Sequence, residues 1–143
     1  MNVILSIKPE FCDAILQGEK FYEFRKRIFK IRNDIDYVFV YSTSPVQKIV
    51  AAFTIDTILC DHPDKLWRKC KNGAGISRDS FFSYFALSQE GYAIKIDEII
   101  QFEPIDPRIL YPNFNPPQSF CYTDDTLQNL INTHTQTCVE QQR

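Results

Sequence analysis

Residues 3–25 read VILSIKPEFCDAILQGEKFYEFR, and this stretch decides the architecture. Val3 to Ile7 alternates and is rich in β-branched residues, which predicts a strand. Pro9 fits a first helical turn and Gly18 a helix end. Between them Phe11 with Ile15, and Cys12 with Leu16, recur at i and i+4, the mark of a short amphipathic helix. Lys20 to Phe24 alternates again. Tyr22 and Phe24 face one way; Phe21, Glu23 and Arg25 face the other. The unit is strand, helix, strand.

Outward from it, Asp36 to Tyr41 is a strand with a nearly continuous apolar run, broken by Ser42-Thr43-Ser44-Pro45. Lys48 to Leu59 is a long strand. Ile49, Ala51, Phe53 and Ile55 lie on one face; Val50, Ala52 and Ile58 lie on the other. Two partly apolar faces suit a closed or heavily covered sheet. Asp61 or His62 can cap a helix with Pro63 in its first turn and Leu66, Trp67 and Cys70 on its apolar side. Ser77 can cap a second helix carrying Phe81, Phe82, Tyr84 and Phe85. Tyr92, Ile94 and Ile96 open another long strand, running to about Phe102. Five prolines between Glu103 and Pro117 predict an irregular wrap. Leu127, Leu130 and Ile131 predict a last helix, and the chain past Asn132 is expected to fray. Antiparallel-style strands with inserted helices predict an α+β fold, a small barrel with helical decoration.

The chain has 143 residues, the length of one domain. Hydrophobic residues at 44% and charged residues at 24% exclude long-range disorder. No apolar run reaches the ~18 residues of a membrane span, and the start carries no secretory pattern. The five cysteines are odd in number and show no C-x-x-C spacing. Reduced, mostly buried thiols in a cytoplasmic protein are the expectation. Cys60-Asp61-His62 with Cys70 comes nearest to a metal cluster but lacks a fourth ligand at a plausible spacing. No metal and no cofactor are expected. With only His62 and His134 as histidines, no Ser/His/Asp or Cys/His arrangement is credible. No P-loop or G-x-G-x-x-G occurs.

Charge is polarised although the total is only −2. Residues 20–32 hold Lys20, Arg25, Lys26, Arg27, Lys30 and Arg32 against Glu23, a net +5 that leaves −7 for the rest. Phe21, Tyr22, Phe24 and Phe29 interleave with these cations. Cations can neutralise a nucleic-acid backbone while aromatic faces stack bases. The same pattern also fits a solvated strand and loop with snorkelling Lys and Arg over core aromatics. The residues alone leave both readings open.

Ser6-Ile7-Lys8-Pro9-Glu10-Phe11, followed by Ile15-Leu16-x-Gly18-x-Lys20-x-x-Glu23-x-Arg25, resembles the signature of the ASCH domain, a family of the PUA-like superfamily. Val40-Tyr41-Ser42-Thr43-Ser44-Pro45-Val46, Gly75-Ile76-Ser77 with Phe81-Phe82-x-Tyr84-Phe85, Tyr92-Ala93-Ile94-Lys95-Ile96 and Pro116-Pro117-Gln118-Ser119-Phe120 resemble its later blocks, in order. The likeness covers 1–122; 123–143 is taken as a C-terminal helix and tail of the same domain. It implies a PUA-like small mixed β-barrel with inserted short helices and a cleft that binds RNA or a nucleotide-like ligand. Lys8, Lys20, Arg25, Lys26, Arg27, Tyr41, Ser42, Thr43, Ser44, Lys48, Ser119 and Phe120 are the expected binding residues. Some members are similar to ribonucleases acting through a Tyr/Lys/Ser set, for which Tyr41, Lys48 and Ser119 are the candidates. Others are similar to amidohydrolases on acetylated cytidine, built on a Lys, a Thr and a Glu. Lys20 matches the first of these. Glu23 stands at the Thr position, and the expected acid falls near Ala74–Gly75, where none occurs. The catalytic candidates are therefore Lys20, Glu23, Tyr41, Lys48 and Ser119. A third reading is a protein-interaction domain in a transcription-related assembly.

Overall fold

Val3 lies beside Val38 and Ile7 beside Ser42 in the computed structural model, so the first strand runs parallel to the third. The sheet is therefore mixed, as the family resemblance implied. A parallel pair needs a crossover of a dozen or more residues, and the helix, second strand and loop between them supply it. Residues 1–30 and 34–132 are described; the expected fraying beyond Asn132 lies outside them, as do Arg32, His134 and Cys138.

The elements are β1 (Asn2–Ile7), α1 (Pro9–Leu16), β2 (Tyr22–Arg25), β3 (Val38–Ser42), β4 (Lys48–Asp61), α2 (Pro63–Cys70), α3 (Arg78–Tyr84), β5 (Gly91–Ile105), α4 (Pro107–Leu110) and β6 (Phe120–Thr123). A further helical segment covers 126–132. The six strands form one sheet in the order β2-β5-β4-β3-β1-β6. All neighbours are antiparallel except β1 and β3. Register shifts interrupt the long β4–β5 ladder at three places, between Ile49 and Ala51, Phe53 and Ile55, and Ile55 and Thr57. Such irregularities bend a strand and raise its twist, and the sheet curls into a half-barrel.

Alternation along each strand sorts the side chains into cores. Val3, Leu5, Ile7, Val38, Val40, Phe53 and Ile94 fill the concave side, joined by Cys12 and Ile15 of α1 and by Phe29. Ile4, Phe39, Tyr41, Ile49 and Ala52 point the other way, under Leu127 and Ile131. Phe24 and Ala93 meet Leu66, Cys70, Phe81 and Phe85 from α2 and α3. The helix caps are local chemistry: His62 Nδ1 accepts from Asp64 N–H at 3.1 Å and the Ser77 hydroxyl from Ser80 N–H at 3.1 Å. Among the described residues no helix is long and apolar enough to cross a membrane.

β6 was not legible as a strand. Four residues after a proline-rich wrap carry too little periodicity, and only the free edge of β1 organises them. β5 also continues to Ile105, through Pro104, into the segment read as irregular.

The aromatics of the cationic stretch divide. Phe24 and Phe29 are core, whereas Phe21 is exposed. Phe29 is fully buried, with its ring 5.6 Å from Phe120 in an edge-on contact. Truncating such a ring removes its transfer energy and leaves a cavity. Phe29→Ala is therefore expected to cost about 3–5 kcal/mol, read by chemical denaturation. A loss below about 1 kcal/mol would contradict its place in the core.

Candidate functional site in the cleft between the two sheet edges

The sheet is not closed by hydrogen bonds between β2 and β6. Arg25 crosses the gap instead. Its guanidinium donates to the Ser6 carbonyl at 3.1 Å and to the Ser119 hydroxyl at 2.6 Å. Lys30 N–H donates to the Tyr122 hydroxyl at 2.9 Å farther along. A cleft of about 750 Å³ lies where these edges meet α1 and α3.

Each wall has a local cause. The turn after α1 places Gly18 at φ +76, a conformation glycine adopts freely. The chain then returns so that Lys20 N–H reaches the Ala14 carbonyl at 3.1 Å. Lys20 points inward and is only 2% exposed. Its ammonium donates to the Ala74 carbonyl at 2.6 Å and sits 5.0 and 4.9 Å from the centroids of Phe11 and Phe24. Gly75, at φ +62, packs against the Lys20 stem, where a Cβ would collide with it. Glu23 stands opposite Ile94 in the β2–β5 ladder, so strand alternation turns it to the concave side. The 117–119 segment is held by Ser6 N–H on the Ser119 carbonyl at 2.9 Å and the Ser6 hydroxyl on the Pro117 carbonyl at 2.7 Å.

Lys8, Lys20, Glu23, Arg25, Lys26, Arg27, Thr43 and Ser119, all singled out in the sequence, line this cleft. Ser6, Glu10, Phe11, Ile76, Ser80, Tyr84, Pro117 and Gln118 also line it and were not proposed. Tyr84 carried a signal: a lone hydroxyl in a run of Phe marks the ring that reaches the surface. That hydroxyl accepts from Lys26 N–H at 3.2 Å, while the Lys26 ammonium lies 4.9 Å from the ring centroid.

Tyr41, Ser42, Ser44, Lys48 and Phe120 do not line the cleft. Tyr41 alternates with Val40 and so falls on the outer face, 3% exposed, with its ring 5.6 Å from Phe114. Burial there raises its pKa. Lys48 is exposed at the start of β4 and acts on Asp106. Ser42 is buried beneath the cleft against the Cys12 thiol. Ser44 is exposed in the β3–β4 turn, and Phe120 packs on Phe29. Of the Tyr41, Lys48 and Ser119 set, only Ser119 reaches the cleft. Of the amidohydrolase set, the third group is missing: Ala74 stands there, and its carbonyl is occupied by Lys20.

Burial governs the electrostatics. Desolvation lowers the Lys20 pKa, opposed by the attraction of Glu23. Desolvation pushes the Glu23 carboxyl above its ordinary 4.5, opposed by Lys20 and Arg25. Glu23 Oε1 lies 3.7 Å from the Arg25 guanidinium, and Oε2 is buried without a hydrogen-bond partner. Such an orphan costs free energy and calls for an explanation. The Cys12 thiol beneath is pushed up to about 11 and is unreactive at neutral pH.

The pH consequence has a definite sign. A carboxyl raised in the folded state holds its proton above the pH where the unfolded chain releases it. Its ionisation therefore costs stability as pH rises from about 4.5 through the folded value. The isosteric Glu23→Gln variant escapes that cost. Its melting temperature relative to the parent is expected to climb between about pH 4 and pH 8. A pH-independent difference in thermal melts would contradict the ionisation cost.

The ASCH domain model matches residues 5–106. An ASCH domain-containing ribonuclease of Zymomonas mobilis subsp. mobilis is 27% identical over 124 residues, which are 85% of this chain and 83% of that protein. The crystal structure of the ASCH protein from Zymomonas mobilis superposes with a TM-score of 0.84 at 26% identity, covering 92% of this chain and 94% of that one. A tyrosine-to-phenylalanine variant of that protein gives 0.83 at 25% identity, covering 92% and 96%. The sequence signature, the six-stranded half-barrel and the family match agree: the chain belongs to the ASCH domain family.

Proposed function

We propose that this chain is an RNA-binding module and that single-stranded RNA enters the cleft between β2 and β6. The observation that carries the reading is the grouping of cations and aromatic rings on one 750 Å³ hollow. Lys8, Lys26 and Arg27 are exposed at its rim, where they can neutralise phosphates and release counterions. Phe11, Phe24 and Tyr84 supply apolar wall, and unstacked bases are commonly held on aromatic surfaces. Ser119, Thr43 and Gln118 add polar groups for sugar or base edges. The hollow, about 750 Å³, has room for a nucleotide-sized guest. The related protein named as a ribonuclease supports RNA as the ligand class.

That relative also favours a second reading, in which the bound strand is cut. In this cleft the groups able to move a proton or stabilise charge are Lys20, Glu23, Arg25 and Ser119. Tyr41 and Lys48 lie outside it.

Titration of a fluorescent single-stranded RNA decides the binding reading. Lys26→Ala and Arg27→Ala are each expected to weaken binding and to reduce the slope of log K against log salt by about 0.7. Unchanged affinity and slope in both would remove the cleft as the site. Fragments released from the same RNA, and lost in Ser119→Ala, would establish cleavage; an intact RNA would leave a binder.

A further inference from the structure

The RNA reading leaves one feature unused: a carboxylate at the bottom of a hollow otherwise suited to a polyanion. Glu23 is 5% exposed, lines the cleft, and keeps Oε2 without a partner. A phosphate would be repelled from it. Something in the ligand must donate there. Resting on the proposed RNA reading, we propose that Glu23 reads a guanine base, accepting its N1–H and N2–H while the phosphate stays at the rim.

The choice of base follows from donor geometry. A carboxylate presents two oxygens side by side and accepts two parallel N–H groups best. Oε2 is buried without a hydrogen-bond partner, and Oε1, 3.7 Å from the Arg25 guanidinium, has a second lone pair for a further donor. Guanine alone among the four bases offers two adjacent N–H donors on its Watson–Crick edge. Adenine and cytosine offer one amino N–H next to a ring nitrogen that a carboxylate repels. Uracil offers one N–H flanked by two carbonyls.

The surroundings match the rest of the base. The guanine O6 sits beside N1–H and needs a donor. Lys20 is a buried ammonium in the same cleft whose charge is felt by Glu23. Arg25 is already committed to Ser6 and Ser119, so it positions Glu23 and does not compete for the base. Burial raises the Glu23 pKa and two donors favour the ionised form, so guanine binding weakens as pH falls.

The test titrates the full chain with the 5′-monophosphates of guanosine, inosine, adenosine, cytidine and uridine, followed by NMR shifts. Inosine keeps N1–H and O6 but lacks the N2 amine. The guanosine nucleotide is expected to bind at least about tenfold tighter than the other four, the worth of a charge-assisted hydrogen bond. Glu23→Gln, verified as folded by its NMR spectrum, is expected to lose that preference. Lys26→Ala is expected to weaken all five nucleotides alike and keep the ranking. Equal binding of guanosine and inosine nucleotides overturns the proposal without the variants. So does a preference that survives Glu23→Gln. If no mononucleotide binds while single-stranded RNA still does, the guanine proposal falls and the RNA reading stands; if neither binds, both fall.

Discussion

The Arg25 guanidinium holds the two ends of the sheet together. It leaves β2 and reaches the Ser6 carbonyl of β1 and the Ser119 hydroxyl ahead of β6. A six-stranded half-barrel has two open edges, and unpaired edges are a liability. Here a side chain does what a ladder of hydrogen bonds does in a closed barrel. Arginine suits this task because its planar fork offers several fixed donors and stays charged in a partly buried setting. Lysine's three donors rotate about one flexible stem and fix no such planar geometry.

The same crossing makes the hollow. Because side chain rather than backbone spans the gap, space remains between the edges, and α1 and α3 wall it. The arrangement also draws Glu23 inward. A carboxylate this buried is tolerated only with compensation, which Arg25 and Lys20 provide incompletely: one oxygen stays unpartnered. Closure of the fold and chemistry of the cleft are thus one interaction viewed from two sides.

Much of this was legible along the chain. The i, i+4 pairs of α1, the alternation of β1 and β2, and the caps at His62 and Ser77 are local effects, and local effects leave local patterns. The cationic run at 20–32 pointed to the cleft, since Lys20, Arg25, Lys26 and Arg27 all line it. The aromatics within that run stayed open to two readings, because Phe29 looks the same in sequence whether it stacks a base or fills a core, as it does. Tyr41, at the end of a strand beside a hydroxyl-rich turn, packs against Phe114 on the other face of the sheet. Which face a strand residue takes depends on what the sheet packs against, and α4, the 111–114 segment and the 126–132 helix cover that face.

By itself the sequence determined the order of the elements from β1 to β5, the placing of Glu23 and Arg25 on the face opposite Phe24, and the polarised charge. These depend on periods of two and 3.6 residues and on composition, all of which are short-range properties. Only the tertiary structure decided that β1 pairs parallel with β3, that Ser6, Tyr84 and Ser119 share a wall with Lys20, and that Tyr41 does not. Those facts join residues dozens of positions apart, and the free energy that selects them comes from burying the whole sheet at once.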